Sequence, residues 1–162
     1  MSRVNKMQVS ERRLKRELSR LMMKPPEGIS CYQKESRMNL LIATVSGPHG
    51  SPYEGGLFKL EVEVDDHYPF QPPKMKFITP VYHPNIDTGG RICMDLLKVP
   101  KDGSGGWNPT ITLESLLVAV QLLLENPNPD DPLMPDIANE YRLNKQVFEK
   151  KARRFTDNHA KN

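Results

Sequence analysis

Residues 57–64 read Leu-Phe-Lys-Leu-Glu-Val-Glu-Val, and no other stretch of the 162-residue chain constrains its fold as tightly. Phe58, Leu60, Val62 and Val64 alternate with Lys59, Glu61 and Glu63. A period of two puts one set on a buried strand face and the other in water, whereas a helix would scatter both. The run is bounded by GPHGSPYEGG and DDHYPFQPP. Glycine tolerates positive φ and proline fixes φ, so such segments turn the chain sharply. Strand-like runs at 40–46 and 74–78 lie on either side, and a tight antiparallel meander is the simplest connection. One face of that sheet needs helices to cover it.

The helices are legible from their spacing. Over 10–23, Leu14, Leu18, Leu21 and Met22 recur at helical intervals, with Ser10 the expected N-cap and Pro25-Pro26 the stop. Arg12, Arg13, Arg16 and Arg20 fall on the other faces. A second helix follows a Thr112 cap, with Leu113, Leu116, Leu117, Val120, Leu123 and Leu124 apolar enough for a central position. The stretch NPNPDDP at 126–132 breaks it. Two more helices are expected over 133–142 and 145–159, the last turning Phe148, Ala152 and Phe155 inward. The order of helix, strands, long loop and helices is that of a single α+β domain.

Charge is segregated. Residues 1–24 carry eight Lys/Arg against two Glu, and residues 142–162 carry seven against Glu149 and Asp157, while the middle is acidic. Basic ends suit solvated helix faces or an acidic protein partner. Nucleic acid is disfavoured as a direct ligand, because no aromatics interleave with the cations. No apolar run approaches the roughly 18 residues of a membrane span. The first 18 residues lack the apolar stretch of an export signal, so an intracellular protein without membrane contact is expected. Cys31 and Cys93 then stand as free thiols rather than a disulfide, and neither has a second ligand at zinc spacing, so no metal is expected.

Residues 79–112 show little periodicity, and so long a loop inside a compact domain is commonly functional. Within it, the segment from His83-Pro84-Asn85 to Cys93-Met94-Asp95 sets one thiol at the end of a loop that opens on an imidazole and a carboxamide. A thiol acting on a carbonyl needs a route to thiolate and a donor for the oxyanion that forms. The Asn85 amide is a candidate donor. His83 is a candidate base, although a ring satisfied by the backbone and shaping the loop is the preferred reading. From these residues alone Cys93 is a candidate nucleophile, set against the alternative of a small buried hydrophobe.

Several separate motifs, in order, resemble the ubiquitin-conjugating enzyme family: LKREL, SPYEGGLFKLEV, YPFQPPKMKF, YHPNI…GGRICMDLL, Trp107-Asn108-Pro109 and NPNPDDPL. Within the family, GISCYQK and PNIDTGGRICMDLLK resemble the type T branch, which serves Fanconi-anaemia crosslink repair. The resemblance implies an N-terminal helix, a four-stranded antiparallel meander with an edge strand near 29–34, a crossover helix and C-terminal helices. It implies one catalytic core domain over 1–162, ordered over about 9–160 with short flexible ends. The activity implied is transfer of ubiquitin: Cys93 accepts it as a thioester from the activating enzyme, which spends the ATP, and passes it to a substrate lysine with a RING-type ligase. No cofactor is implied beyond that co-substrate.

The resemblance also assigns roles. Asn85 belongs to the oxyanion site or orders the loop beneath it, Asp131 orients and helps deprotonate the incoming lysine, and His83 and Pro84 shape the loop. Arg12, Arg13, Arg16, Phe70 and Pro109 match surfaces for the activating enzyme and ligase; Val118, Leu122 and Asp95 match contacts to the donor ubiquitin. Lys98 is a candidate for self-modification. The ligase would be that of the Fanconi-anaemia pathway, and the location nuclear, with a cytoplasmic share. Asn108 and His67 replace basic residues of the type T branch, and the segment LLKVPKDGSGG lengthens the approach to Trp107. The two replacements bear on the choice of ligase and substrate, and the insert on access to the thioester. A silent ubiquitin binder, a conjugating enzyme for another modifier such as SUMO, and a cysteine hydrolase with His83 as base are the rival readings.

Overall fold

The alternation at residues 57–64 becomes a strand in the computed structural model, which describes residues 2–161. Four strands, β1 (Ile29–Lys34), β2 (Arg37–Ser46), β3 (Leu57–Glu63) and β4 (Lys74–Phe77), pair antiparallel in chain order. Register aligns the apolar rows: Leu41 faces Val62 and Val62 faces Met75, while Ala43 faces Leu60 and Leu60 faces Phe77. These side chains are buried, and all but the small Ala43 contribute about 2 kcal/mol each. The alternate set, including Lys59, Lys74 and Lys76, stays wet. β1 is the edge strand that periodicity alone does not reveal. Ile29 and Cys31 point inward, and burial pushes the Cys31 thiol up to about 12.

Helices α1 (Arg3–Met23) and α2 (Leu113–Glu125) cover the inner face. Leu14, Leu18 and Leu21 are buried as their spacing predicts, but Met22, one residue round the helix from Leu21, is 69% exposed. Ser10 is not the N-cap. The helix begins two turns earlier on Ser2, whose hydroxyl accepts the Asn5 N–H, and Ser10 is buried mid-helix, donating to the Asp65 carbonyl. Thr112 does cap α2, accepting the Ser115 N–H at 3.1 Å.

Helix α3 (Pro135–Leu143) starts later than its expected residue 133, since the N–H groups of Leu133 and Met134 both donate to the Pro84 carbonyl. Pro135 at the first turn costs no hydrogen bond. Helix α4 (Lys145–His159) buries Phe148, Ala152 and Thr156. Phe155 lies partly exposed beside Tyr82 and His159, so Thr156 takes the deep position expected of it. No helix among the described residues is long and apolar enough to cross a membrane.

Candidate active site

The loop holding the thiol is built by backbone turns. Asp87 Oδ1 accepts the N–H groups of Gly89 and Arg91, and the Asp87 carbonyl accepts that of Gly90. The Gly90 carbonyl then receives the Phe77 N–H at 2.8 Å, which sews the turn to β4. Gly90 sits at φ +88, and a Cβ there would come within 2.0 Å of the Phe77 oxygen, so no other residue fits. Cys93 is fixed by its N–H on the Asn85 carbonyl at 2.9 Å. Its side chain is partly exposed.

His83 and Asn85 are fully buried. The His83 Nδ1 accepts the Asn85 N–H at 2.9 Å, which leaves Nε2 as the protonated nitrogen, donating to the Leu123 carbonyl at 2.8 Å. Both nitrogens are spent on backbone, so a hydrolase with His83 as base has no support in this geometry. Burial lowers the His83 pKa from its ordinary 6.5 to about 4, against the opposing Leu123 bond. The unfolded ring therefore binds a proton first as pH falls. Stability is complete above 6.5 and drains toward pH 4, by on the order of 3 kcal/mol across that window. An NMR titration is expected to find this ring still neutral at about pH 5. A midpoint at the ordinary value would mean that the ring is solvated.

The Asn85 side chain clamps the loop after α2. Its Nδ2 donates to the carbonyls of Asn128 and Asp131, at 2.8 and 3.0 Å, and its Oδ1 accepts the Asn128 N–H at 2.9 Å. Neither amide hydrogen is left for an oxyanion in this arrangement. The clamp carries Asp131 across 38 residues of sequence to Cys93, whose Sγ donates to Asp131 Oδ2 at 3.2 Å. Lys98 Nζ reaches the same oxygen at 2.8 Å and lies 3.7 Å from Asp95. Neighbouring Asp130 pairs with Arg142 of α3.

These contacts set the electrostatics. Partial burial raises the Cys93 pKa, the thiol's bond to Asp131 raises it further, and Lys98 opposes both. The sulfur is a neutral thiol at pH 7. Asp131 is held below the usual carboxylate range, first by Lys98 and then by the thiol, and Lys98 is in turn driven upward by Asp131. The trio is exposed enough that none of these directions translates into much stability. Among the described residues no cluster of His, Cys, Asp or Glu is arranged to hold a metal.

The other predicted residues divide between surface and interior. Arg12 and Arg16 are exposed on α1, Phe70 is 50% exposed, Pro109 is exposed beyond Trp107, and Leu122 is 52% exposed on α2. Val118 is half-buried against the core, and Asp95 lies open beside the thiol loop. Arg13, expected among the surface cations, turns inward. It donates to the Pro109 and Ile111 carbonyls at 2.7 and 2.8 Å, pairs with Glu17, and lies over the Tyr68 ring.

Glu17 is the residue that sequence reasoning missed. Buried, it accepts from the Tyr68 hydroxyl and from the Leu113 N–H at the start of α2. A carboxylate there satisfies an orphan donor and the helix dipole together. The available signal was an Arg13–Glu17 pair at i, i+4 on a helix otherwise almost free of acid. Trp107 adds a bond from its indole to the Pro69 carbonyl, so Phe70 and Pro109 project from one fastened corner.

Comparison with known proteins agrees with this geometry. The family described as "Ubiquitin-conjugating enzyme" matches residues 13–156. The chain is 52% identical to Ubiquitin-conjugating enzyme E2 T of Xenopus laevis over 148 residues, spanning 91% of this chain and 76% of that one. Identity to the Homo sapiens E2 T is 50%, over 92% and 75% of the two chains. Ubiquitin-conjugating enzyme E2 N of Drosophila melanogaster is 42% identical, with 92% and 95% covered. The chain, with its meander and its clamped thiol loop, belongs to the ubiquitin-conjugating enzyme family.

Proposed function

We propose that Cys93 carries ubiquitin as a thioester and releases it to a substrate lysine presented by a RING-type ligase. As a family member the chain is a ubiquitin transferase whose partners are ubiquitin, an activating enzyme and a ligase. The observation that carries the finer reading is the Cys93 thiol, partly exposed and 3.2 Å from Asp131 on a loop clamped from beneath.

Loading exchanges one thioester for another. The Cys93 sulfur attacks the glycyl carbonyl, a C–S bond forms as the activating enzyme's C–S bond breaks, and the thiol proton leaves to the departing thiolate or water. The exchange is nearly balanced in energy, so a thiol of raised pKa suffices. Discharge is harder. The acceptor ammonium gives a proton to Asp131 or water, its nitrogen attacks, the C–N bond forms, the Cys93 C–S bond breaks with the electron pair on sulfur, and the second proton lost from the nitrogen protonates that sulfur directly or through water. Asp131 orients and deprotonates; Asn85 acts by holding Asp131 in place; His83 and Pro84 hold Asn85.

Arg12, Arg16, Phe70 and Pro109 then meet the activating enzyme and ligase, while Val118, Leu122 and Asp95 face the donor ubiquitin. A half-exposed aromatic on a proline-stiffened loop is a low-entropy anchor. Lys98, already beside the loaded sulfur, is the internal amine placed to modify itself. Crosslink repair, the Fanconi-anaemia ligase and nuclear residence are part of the proposal through the type T resemblance alone.

The reading is tested with activating enzyme, ATP and ubiquitin, on gels run with and without thiol reductant. Wild type is expected to give a reductant-labile adduct, Cys93→Ala none, and Cys93→Ser a reductant-stable ester. Charging by another modifier but not ubiquitin would overturn it.

A further inference from the structure

Lys98 ends the short 3-10 turn Asp95–Leu97, and its backbone is pinned on both sides. Its N–H donates to the Asp95 carbonyl at 2.9 Å, and its own carbonyl accepts the Trp107 N–H at 2.8 Å. The side chain is therefore launched from a fixed point next to the thiol. Its ammonium sits on Asp131 Oδ2, the oxygen that also holds the Cys93 sulfur. An acceptor amine about to attack a thioester on that sulfur needs the same position: within reach of the sulfur and against the carboxylate.

We propose that Lys98 determines acceptor specificity by occupying the amine position on Asp131, so that an incoming lysine must displace it. The proposal rests on the reading of Asp131 as the residue that receives the acceptor. Two ammonium groups on one carboxylate oxygen repel, so occupancy is exclusive. Asp95 supplies the alternative seat, since its Oδ1 is already 3.7 Å from the same nitrogen. Displacement thus leaves no charge unpartnered. An exposed ion pair is weak, so the competition is a matter of several-fold and not an absolute block. A free amine in solution bears that competition fully. A lysine held in place by a ligase has a high effective concentration and overcomes it. The chain discriminates in this way against stray amines in favour of docked substrates.

The test uses the full chain, loaded with ubiquitin and cut off from ATP, discharging in single turnover to free lysine over a range of concentrations. Lys98→Ala is expected to lower the half-saturating lysine concentration by about 2- to 5-fold with a smaller change in the limiting rate, as loss of a weak surface pair allows. Lys98→Arg, whose guanidinium still pairs with Asp131, is expected to keep the wild-type half-saturation. Asp95→Asn, which removes the alternative seat, is expected to raise half-saturation in the wild-type background. An unchanged or higher half-saturation in Lys98→Ala, or Lys98→Arg behaving like Lys98→Ala, overturns the proposal. If Cys93 takes up no ubiquitin, or Asp131→Asn discharges normally, the underlying reading fails instead, so the two failures are separable.

Discussion

Asp131→Asn is expected to slow discharge of the loaded enzyme to lysine by about a hundredfold, at the lower end of what a positioned base contributes. Loading is expected to suffer far less, because exchange between two sulfurs has no amine to deprotonate. The substitution keeps shape and removes charge. The Lys98 ammonium then loses its 2.8 Å partner and retains Asp95, while the Cys93 thiol no longer donates to a carboxylate. Asp131 raises the Cys93 pKa, so its removal makes the thiol more acidic, and alkylation by iodoacetamide at pH 8 is expected to quicken. The two readouts move in opposite directions, which a general loss of structure would not produce. Equal slowing of loading and discharge would remove Asp131 from its assigned role. A thioester on Cys93, as proposed, would replace the thiol hydrogen and so remove one of the two contacts that depress the Asp131 pKa.

The fold was legible wherever a single period dominated. β3 alternates without interruption because one face meets the core and the other meets water, and α2 declares itself because nearly every turn is apolar. β1 is harder. Ile29 and Cys31 face inward, but Ser30, Tyr32 and Gln33 blur the contrast, and its place at the edge came from family resemblance and not from pattern. The first turns of α1 were missed because Ser10 reads as a cap just ahead of the leucine stripe, and Val4 and Val9 before it stay exposed. These turns are held by the Ser2 cap and by continuation of a helix that packs further along.

At the site, Cys93 and its loop could be read from local order, whereas the contact with Asp131 is 38 residues long and depends on Asn85 reaching back to the loop after α2. Arg13 shows the converse limit. A cation beside Arg12 and Arg16 looks like surface charge, and two backbone carbonyls that no sequence pattern marks take it inward.

Asn85→Ala carries the second large effect, and it separates a clamp from an oxyanion donor. Three partly buried hydrogen bonds are lost, and the Asn128 N–H and the Asn128 and Asp131 carbonyls lose their partner. At about 1 kcal/mol each, the domain is expected to lose roughly 3 kcal/mol. For a chain of this size that is a drop of about 6–12 °C in Tm. The loop after α2 then loses its ties at Asn128 and Asp131 and is held only further along, by the Leu133 and Met134 N–H groups on the Pro84 carbonyl, so Asp131 is displaced and discharge is expected to fall about as far as in Asp131→Asn. A clamp predicts that the loss of stability and the loss of discharge come together, with backbone NMR shifts changing over residues 126–133. A direct oxyanion donor predicts slowed discharge with an unaltered melt and unaltered loop shifts. The geometry favours the first outcome, because a buried amide with both hydrogens committed would have to give up an existing bond for each one it makes to an oxyanion. The Asn85→Ala/Asp131→Asn double variant completes the argument. If Asn85 acts through Asp131, the two losses in discharge overlap and the double variant is little slower than Asn85→Ala alone.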